Sequence, residues 1–183
     1  MVVNTHERTI PANCSAVGRL IDSLGSEGDL LWPREDWPPM RFDRPLQTGA
    51  SGGHGPIRYV VEDYEPSRRV QFRFLSPRGF RGTHRFEVVS VGQGKCSLVH
   101  GIEMKTAGIA KLSWPCVFRP LHDALIEDCL AKAEGNFSEI RRSREWSLWV
   151  KLWERQAKSG ETGLFDSGPE HRTFFRRFYE RKL

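Results

Sequence analysis

Between residues 53 and 104 apolar and polar side chains alternate at a period of two, the pattern of strands with one buried face. The runs GHGPIRYVVEDYEP, RRVQFRFL and THRFEVVSVGQGKCSLVHGIEM put Ile57, Tyr59, Val61, Val70, Phe72 and Phe74 on that face, followed by Phe86, Val88, Leu98, Ile102 and Met104. His84 and His100 share its parity. The other parity carries Arg58, Glu62, Arg69, Arg73, Arg85, Glu87 and Glu103, which predicts a solvated face with cross-strand ion pairs. Glu65-Pro66-Ser67, Ser76-Pro77-Arg78-Gly79 and Gly92-Gln93-Gly94 separate the runs, and connections this short make neighbouring strands antiparallel. A last turn centred on Gln93 sets Phe86 opposite His100 and His84 opposite Ile102, with the two histidines roughly 7–8 Å apart at Cα.

The flanks are less regular. Residues 4–10 alternate weakly and predict a first strand closed by Pro11. Asn13 or Ser15 is placed to cap a helix through AVGRLIDSL, with Gly25 and Gly28 ending it. A second helical turn is expected around residues 28–32, and the prolines of WPREDWPPM then exclude regular structure. A short strand is expected near residues 44–48, and GASGGHGP reads as a flexible loop. Pro115 and Pro120 must kink or delimit any helix begun near Ala107. Beyond Pro120, Leu121, Leu125, Ile126, Cys129, Leu130, Ala133 and Phe137 form one helical stripe. The large apolar surface open to that helix is the inner sheet face, so the predicted class is α+β, a curved antiparallel sheet gripping a long C-terminal helix.

Length and charge sharpen this picture. A chain of 183 residues makes one ordinary domain with an appendage. No apolar run approaches the ~20 residues that span a bilayer, and MVVNTHERTIPAN does not read as a secretory signal. Cys14, Cys96, Cys116 and Cys129 show no metal-ligand spacing and read as apolar fillers, so a cytoplasmic location is expected. The formal charge is +5. Residues 141–183 hold eleven basic and six acidic side chains, which leaves 17 of each in residues 1–140. The basic excess belongs to the tail, and nucleic-acid binding is not expected of the main body.

The order of elements in residues 4–140 resembles the helix-grip or Bet v 1-like superfamily, which includes START domains, polyketide cyclase/dehydrase-like proteins and lipid-transfer proteins. The WP…WPPMRFDRPL segment, GGHGPIRYVVEDYEP, the HRFEV strand and the FRPLHDALIEDCL helix are similar to a bacterial branch of it, mostly described as uncharacterised SRPBCC-type proteins. The resemblance implies a domain over residues 1–140 with an elongated cavity between sheet and helix that accepts an apolar ligand. Residues 141–183 have no counterpart in a minimal domain of this kind and form a basic, aromatic-rich extension.

On that footing the cavity wall comprises Tyr59, Phe72, Phe74, His84, Phe86, His100, Met104 and Leu125. The apolar groups supply affinity, while Tyr59 and the histidines supply orientation. The expected function is binding of a hydrophobic small molecule of lipid, polyketide or aromatic type. The alternative is a cyclase- or dehydratase-type enzyme using His84 or His100 as general acid/base. The plainer reading of both histidines is core filling, each bonded to a neighbouring group. No inward carboxylate or third histidine completes a metal set beside them, and no cofactor fingerprint is present, so neither metal nor cofactor is expected.

Other candidates have bland readings beside them. His54, among four glycines, is either part of a pocket lid or a cap on a backbone group. Asp123 suits a helix first turn, and His122 beside it points about 100° away, so that pair reads as structural. Trp32 and Trp37 close one end of the core in preference to gating a cavity mouth. In the extension, Trp146, Trp149, Val150 and Trp153 share a helical face, and Phe174, Phe175, Phe178 and Tyr179 interleave with arginines. Such a segment suits packing on Val60, Val89 and Val99 of the outer sheet face, or a homodimer contact. An adaptor or membrane-surface role for it is the second, less favoured alternative to ligand binding.

Overall fold

The structure is a computed structural model and describes residues 1–138 together with Val150 and Lys151. Strand β1 (Val2–Ile10) leads into helix α1 (Cys14–Asp22), and strands β2 (Arg41–Phe42), β3 (Ser51–His54), β4 (Ile57–Glu65), β5 (Arg69–Ser76), β6 (Phe80–Gly92) and β7 (Lys95–Thr106) follow. A short helix α2 (Ala110–Ser113) and a π-helical segment (Trp114–Phe118) then run into the long helix α3 (Arg119–Gly135). The seven strands form one curved antiparallel sheet in the order β1-β7-β6-β5-β4-β3-β2. With α3 against it, this is the helix-grip architecture.

The alternation of the central strands is realised as expected. Tyr59, Val61, Val70, Phe72, Phe86, Val88, Leu98, Ile102 and Met104 are buried, and so are His84 and His100. The β6–β7 register sets Phe86 opposite His100 and His84 opposite Ile102. The outer face carries ion pairs from Arg85 to Glu87 and Glu103, and from Arg73 to Glu62. Arg58 also bonds within its own turn: its Nη1 donates to the carbonyls of Gly55 and Ile57.

Helix α1 begins where its cap allows. The Asn13 side chain accepts from the Ala16 amide at 2.8 Å, satisfying one of the donors a helix start leaves free. Val17, Leu20 and Ile21 face the core. Gly18 fits against the β4–β5 turn so closely that a Cβ there would lie 1.8 Å from the Ser67 carbonyl oxygen. Asp22 fastens the same seam, accepting from the Ser67 amide, the Ser67 hydroxyl and the Tyr64 hydroxyl at 2.7–2.8 Å.

Three local expectations are corrected. Residues 28–32 form no helical turn, because the Asp29 carboxylate accepts from the Gly25, Leu31 and Trp32 amides and competes with helical pairing. The short strand falls at Arg41–Phe42, ahead of residues 44–48. The glycine-rich stretch is β3, paired on both sides. Gly52 is required there by close approach, since a Cβ would meet the Arg41 carbonyl oxygen at 2.1 Å. Among the cysteines, Cys96 and Cys129 are buried as fillers, but Cys116 is exposed.

The core has two parts. The larger gathers α1, α3, Trp32, Trp37 and most of the inner sheet face, and Val150 of the extension is buried in it. The smaller joins Phe80, Ile102 and Met104 to Ala110, Trp114 and Phe118. The proline-rich segment closes one end of the domain and is tied to α3. Trp37 Nε1 donates to Asp128 at 2.8 Å, and Lys132 Nζ donates to the Trp32 carbonyl at 2.7 Å. The remaining aromatic and basic residues of the extension, Trp146, Trp149, Trp153 and residues 172–182 among them, lie outside the described residues.

Candidate functional site

Seven of the eight expected wall residues converge on the inner sheet face or beside it. His84, on β6 opposite Phe72 of β5, lies with its ring stacked between Phe72 at 4.7 Å and Phe74 at 4.9 Å, with Tyr59 edge-on at 4.9 Å. His100 meets Phe86 edge-on at 4.6 Å and lies 5.6 Å from His84. Leu125 is buried on α3 in the same cluster. Phe74 also meets Phe80, and so borders the smaller cluster. Met104 belongs to that smaller cluster, with Trp114 and Phe118, and Phe74 packs against it.

The histidines are polar groups inside this wall. His84 and His100 are 6 % and 1 % exposed, and burial holds both imidazoles neutral, well below their usual pKa. His84 Nε2 and His100 Nδ1 are buried and have no hydrogen-bond partner among the described residues. Each such atom costs about 1–3 kcal/mol when left unsatisfied. Against a typical total stability of roughly 5–15 kcal/mol, two of them are a substantial cost.

The array extends at both ends beyond the two histidines singled out by strand parity. His54 turns inward rather than capping a backbone group. Its Nδ1 is hydrogen-bonded to the Tyr59 hydroxyl at 3.2 Å, and its ring packs on Trp32 at 4.6 Å. Burial lowers its pKa to about 3. At the other end, His122 of α3 lies 5.0 Å from His100, and its Nε2 is a third buried imidazole nitrogen without a partner among the described residues. His122 therefore does not merely decorate a helix start, and the structural reading of the His122–Asp123 pair is incomplete. His122 supplies from α3 the third imidazole that the sheet face alone lacks.

Beyond His122 stands His6, which sequence reasoning missed. It belongs to a polar ladder between one parity of β1 and one face of α3. The Asn4 amide donates to Asp123 at 3.0 Å. His6 bonds Glu127 through Nδ1 at 2.9 Å and Asp123 through Nε2 at 3.1 Å. Arg8 bridges Glu127 and Glu134, both at 3.0 Å. The Asp123 hydrogen bond raises the His6 pKa, with burial opposing it. Burial pushes the Asp123 carboxyl up, but the bonds from His122 and His6 outweigh that and hold it below its usual range. The ladder was half visible: Asn4, His6 and Arg8 recur at strand spacing, and Asp123, Glu127 and Glu134 recur at helix spacing. What pairs the two series is tertiary.

No family model matches the chain, and no curated protein matches it. Solved structures do. A protein from Thermobifida fusca, determined by solution NMR, is similar with a TM-score of 0.60 at 14 % identity, over 80 % of this chain and 100 % of its own. CalU16 from Micromonospora echinospora is similar with a TM-score of 0.54 at 11 % identity, over 90 % of this chain and 89 % of its own. Norcoclaurine synthase from Thalictrum flavum, in complex with dopamine and hydroxybenzaldehyde, gives 0.56 at 14 % identity, over 78 % and 89 % respectively. These likenesses establish a Bet v 1-like fold.

Proposed function

We propose that the chain binds a small, largely apolar molecule of lipid, polyketide or aromatic type between sheet and long helix, and that His84 and His100 orient a hydroxyl or carbonyl on it. The observation that carries this reading is the pair of buried, unpartnered imidazole nitrogens set in a wall of Tyr59, Phe72, Phe74 and Phe86. A neutral imidazole offers one donor and one acceptor, so a hydroxyl-bearing ligand satisfies either tautomer. The aromatic rings remove the rest of the ligand from water. The likeness to norcoclaurine synthase, whose structure holds two hydroxylated aromatic molecules, supports a phenolic ligand over a purely aliphatic one.

A second reading is favoured by the arrangement beyond His100. Ring centroids step from His84 to His100, His122 and His6 at 5.6, 5.0 and 5.8 Å, ending on the carboxylates of Asp123 and Glu127. With water bridging its unpartnered nitrogens, such a row can carry a proton between the interior and a partly exposed acid pair. On this reading the chain is an enzyme of cyclase or dehydratase type, with His84 or His100 as general acid/base.

Native mass spectrometry of freshly purified full-length protein, followed by denaturing extraction, tests the binding reading. A co-purifying small apolar molecule is the expected result. An empty protein that also fails to bind hydroxylated aromatic probes would overturn it. His100→Phe then separates the two readings: a carrier keeps most of its affinity, whereas an enzyme keeps binding and loses turnover.

A further inference from the structure

We propose that His6, His122 and Asp123 form a binding site for a divalent transition-metal ion of the zinc class, at the junction of β1 and α3. This goes beyond the ligand reading and stands without it. One nitrogen from each histidine and a carboxylate oxygen of Asp123 all lie within 4.8 Å of one another. Donor atoms bound tetrahedrally at the usual zinc distances are about 3.3 Å apart. His6 Nε2 lies 3.1 Å from Asp123 Oδ1, and His122 Nδ1 lies 3.4 Å from the same oxygen. Two sides of the donor triangle therefore already have the span that a metal requires, and the third lies within 4.8 Å.

The surroundings are those of a metal site as well. The Glu127 carboxylate accepts from His6 Nδ1, which leaves Nε2 facing Asp123 and His122. A carboxylate that fixes the far nitrogen of a ligating imidazole is the recurrent outer partner of zinc histidines. Asn4 donates to Asp123 Oδ1, while its own Oδ1 is buried without a partner among the described residues. Two nitrogens and one carboxylate oxygen suit zinc, nickel or copper better than calcium or magnesium. Three protein donors leave a fourth position for water or a substrate atom.

Occupation would reach the interior through His122. Without a metal, Nδ1 donates to Asp123, and the buried Nε2 presents a lone pair. With Nδ1 on the metal, the ring proton must sit on Nε2, which then presents a donor. The ion would thus reverse what His122 offers to a molecule lying beside His100.

The test uses the tag-free full-length chain and cobalt(II) in place of zinc. We expect one equivalent to bind with the visible absorption of four-coordinate cobalt and without a thiolate-to-cobalt charge-transfer band. Paramagnetic shifts on two imidazoles of the unaltered protein would support the site with no substitution at all. His6→Gln and Asp123→Asn should each weaken binding by about 100-fold, and Glu127→Gln by about 10-fold or more. Glu35→Gln, an exposed acid elsewhere, should leave it unchanged. Absence of the cobalt spectrum with metal in excess, a thiolate band, paramagnetic shifts on fewer than two imidazoles, or undiminished binding by the folded His6 and Asp123 variants would overturn the proposal. Extraction of a bound molecule reads the ligand proposal separately, so the two fail independently.

Discussion

His6 on β1 lies directly opposite His100 on β7, so the polar ladder along α3 and the aromatic interior meet at one cross-strand pair. The row continues through Phe86 to Val70, passing from charged to wholly apolar within four strands. The stability held in this row can be measured.

His100→Leu should raise the stability of the ligand-free protein by about 1–3 kcal/mol, because it removes a buried imidazole whose Nδ1 has no partner among the described residues. Urea unfolding at pH 7.5 reads the change. A loss of stability instead would mean that the ring has a partner in solution that repays its burial.

Acid should unfold the protein early. The folded-state pKa values of His54, His84 and His100 lie below the ordinary 6.5, with His54 at about 3. Each therefore contributes stability that is fully present above pH 6.5 and is lost as pH falls, since the unfolded chain takes up protons that the fold refuses. His122, also lowered by burial, adds a fourth, and four such groups cost about 5 kcal/mol per pH unit. His6 has the opposite sign: its raised pKa adds stability that is complete below 6.5 and fades as pH climbs through the folded value. One group does not offset four. Unfolding midpoints should hold steady above pH 7 and drop steeply below pH 6, and the double variant His84→Leu/His100→Leu should flatten the curve.

Gly18→Ala should cost about 3 kcal/mol, since the new methyl collides with backbone at Ser67 and α1 must move away from the β4–β5 turn. Asp22→Ala opens the same seam by removing three hydrogen bonds. The double variant should therefore lose less than the sum of the two single losses. Strict additivity in urea melts would show that helix and turn are held by separate contacts.

Val150→Ala should cost about 1.5 kcal/mol, at ~0.8 kcal/mol per buried carbon, because Val150 is buried with the main core. Val89→Ala on the outer sheet face, where 44 % of the residue is exposed, should cost far less. Equal effects on thermal unfolding would detach Val150 from the domain core.

The sheet was legible because period-two alternation and three marked turns fix the β4 to β7 strands and their β6–β7 register without reference to anything distant. His84 and His100 followed from parity alone. His54 was misjudged because its glycines suggested a loop, whereas Gly52 serves a close strand contact. His6 and His122 needed the pairing of β1 with β7 and the seating of α3, neither of which leaves a periodic trace. Asp29 misled in another way: its side chain claims three amides that a helical turn would otherwise pair differently.

The pairing of β1 with β7 also sets an order of events at the ribosome. Strand β1 is made before the other strands described, yet its partner β7 and the α3 acids that receive Asn4, His6 and Arg8 are made only after nearly all of them. Strand β1 must therefore wait, unpaired, for β7 and α3. Its alternation of Asn, His and Arg with Thr and Glu suits that wait, because a strand with polar groups on both faces is a poor template for aggregation while its edge stands open.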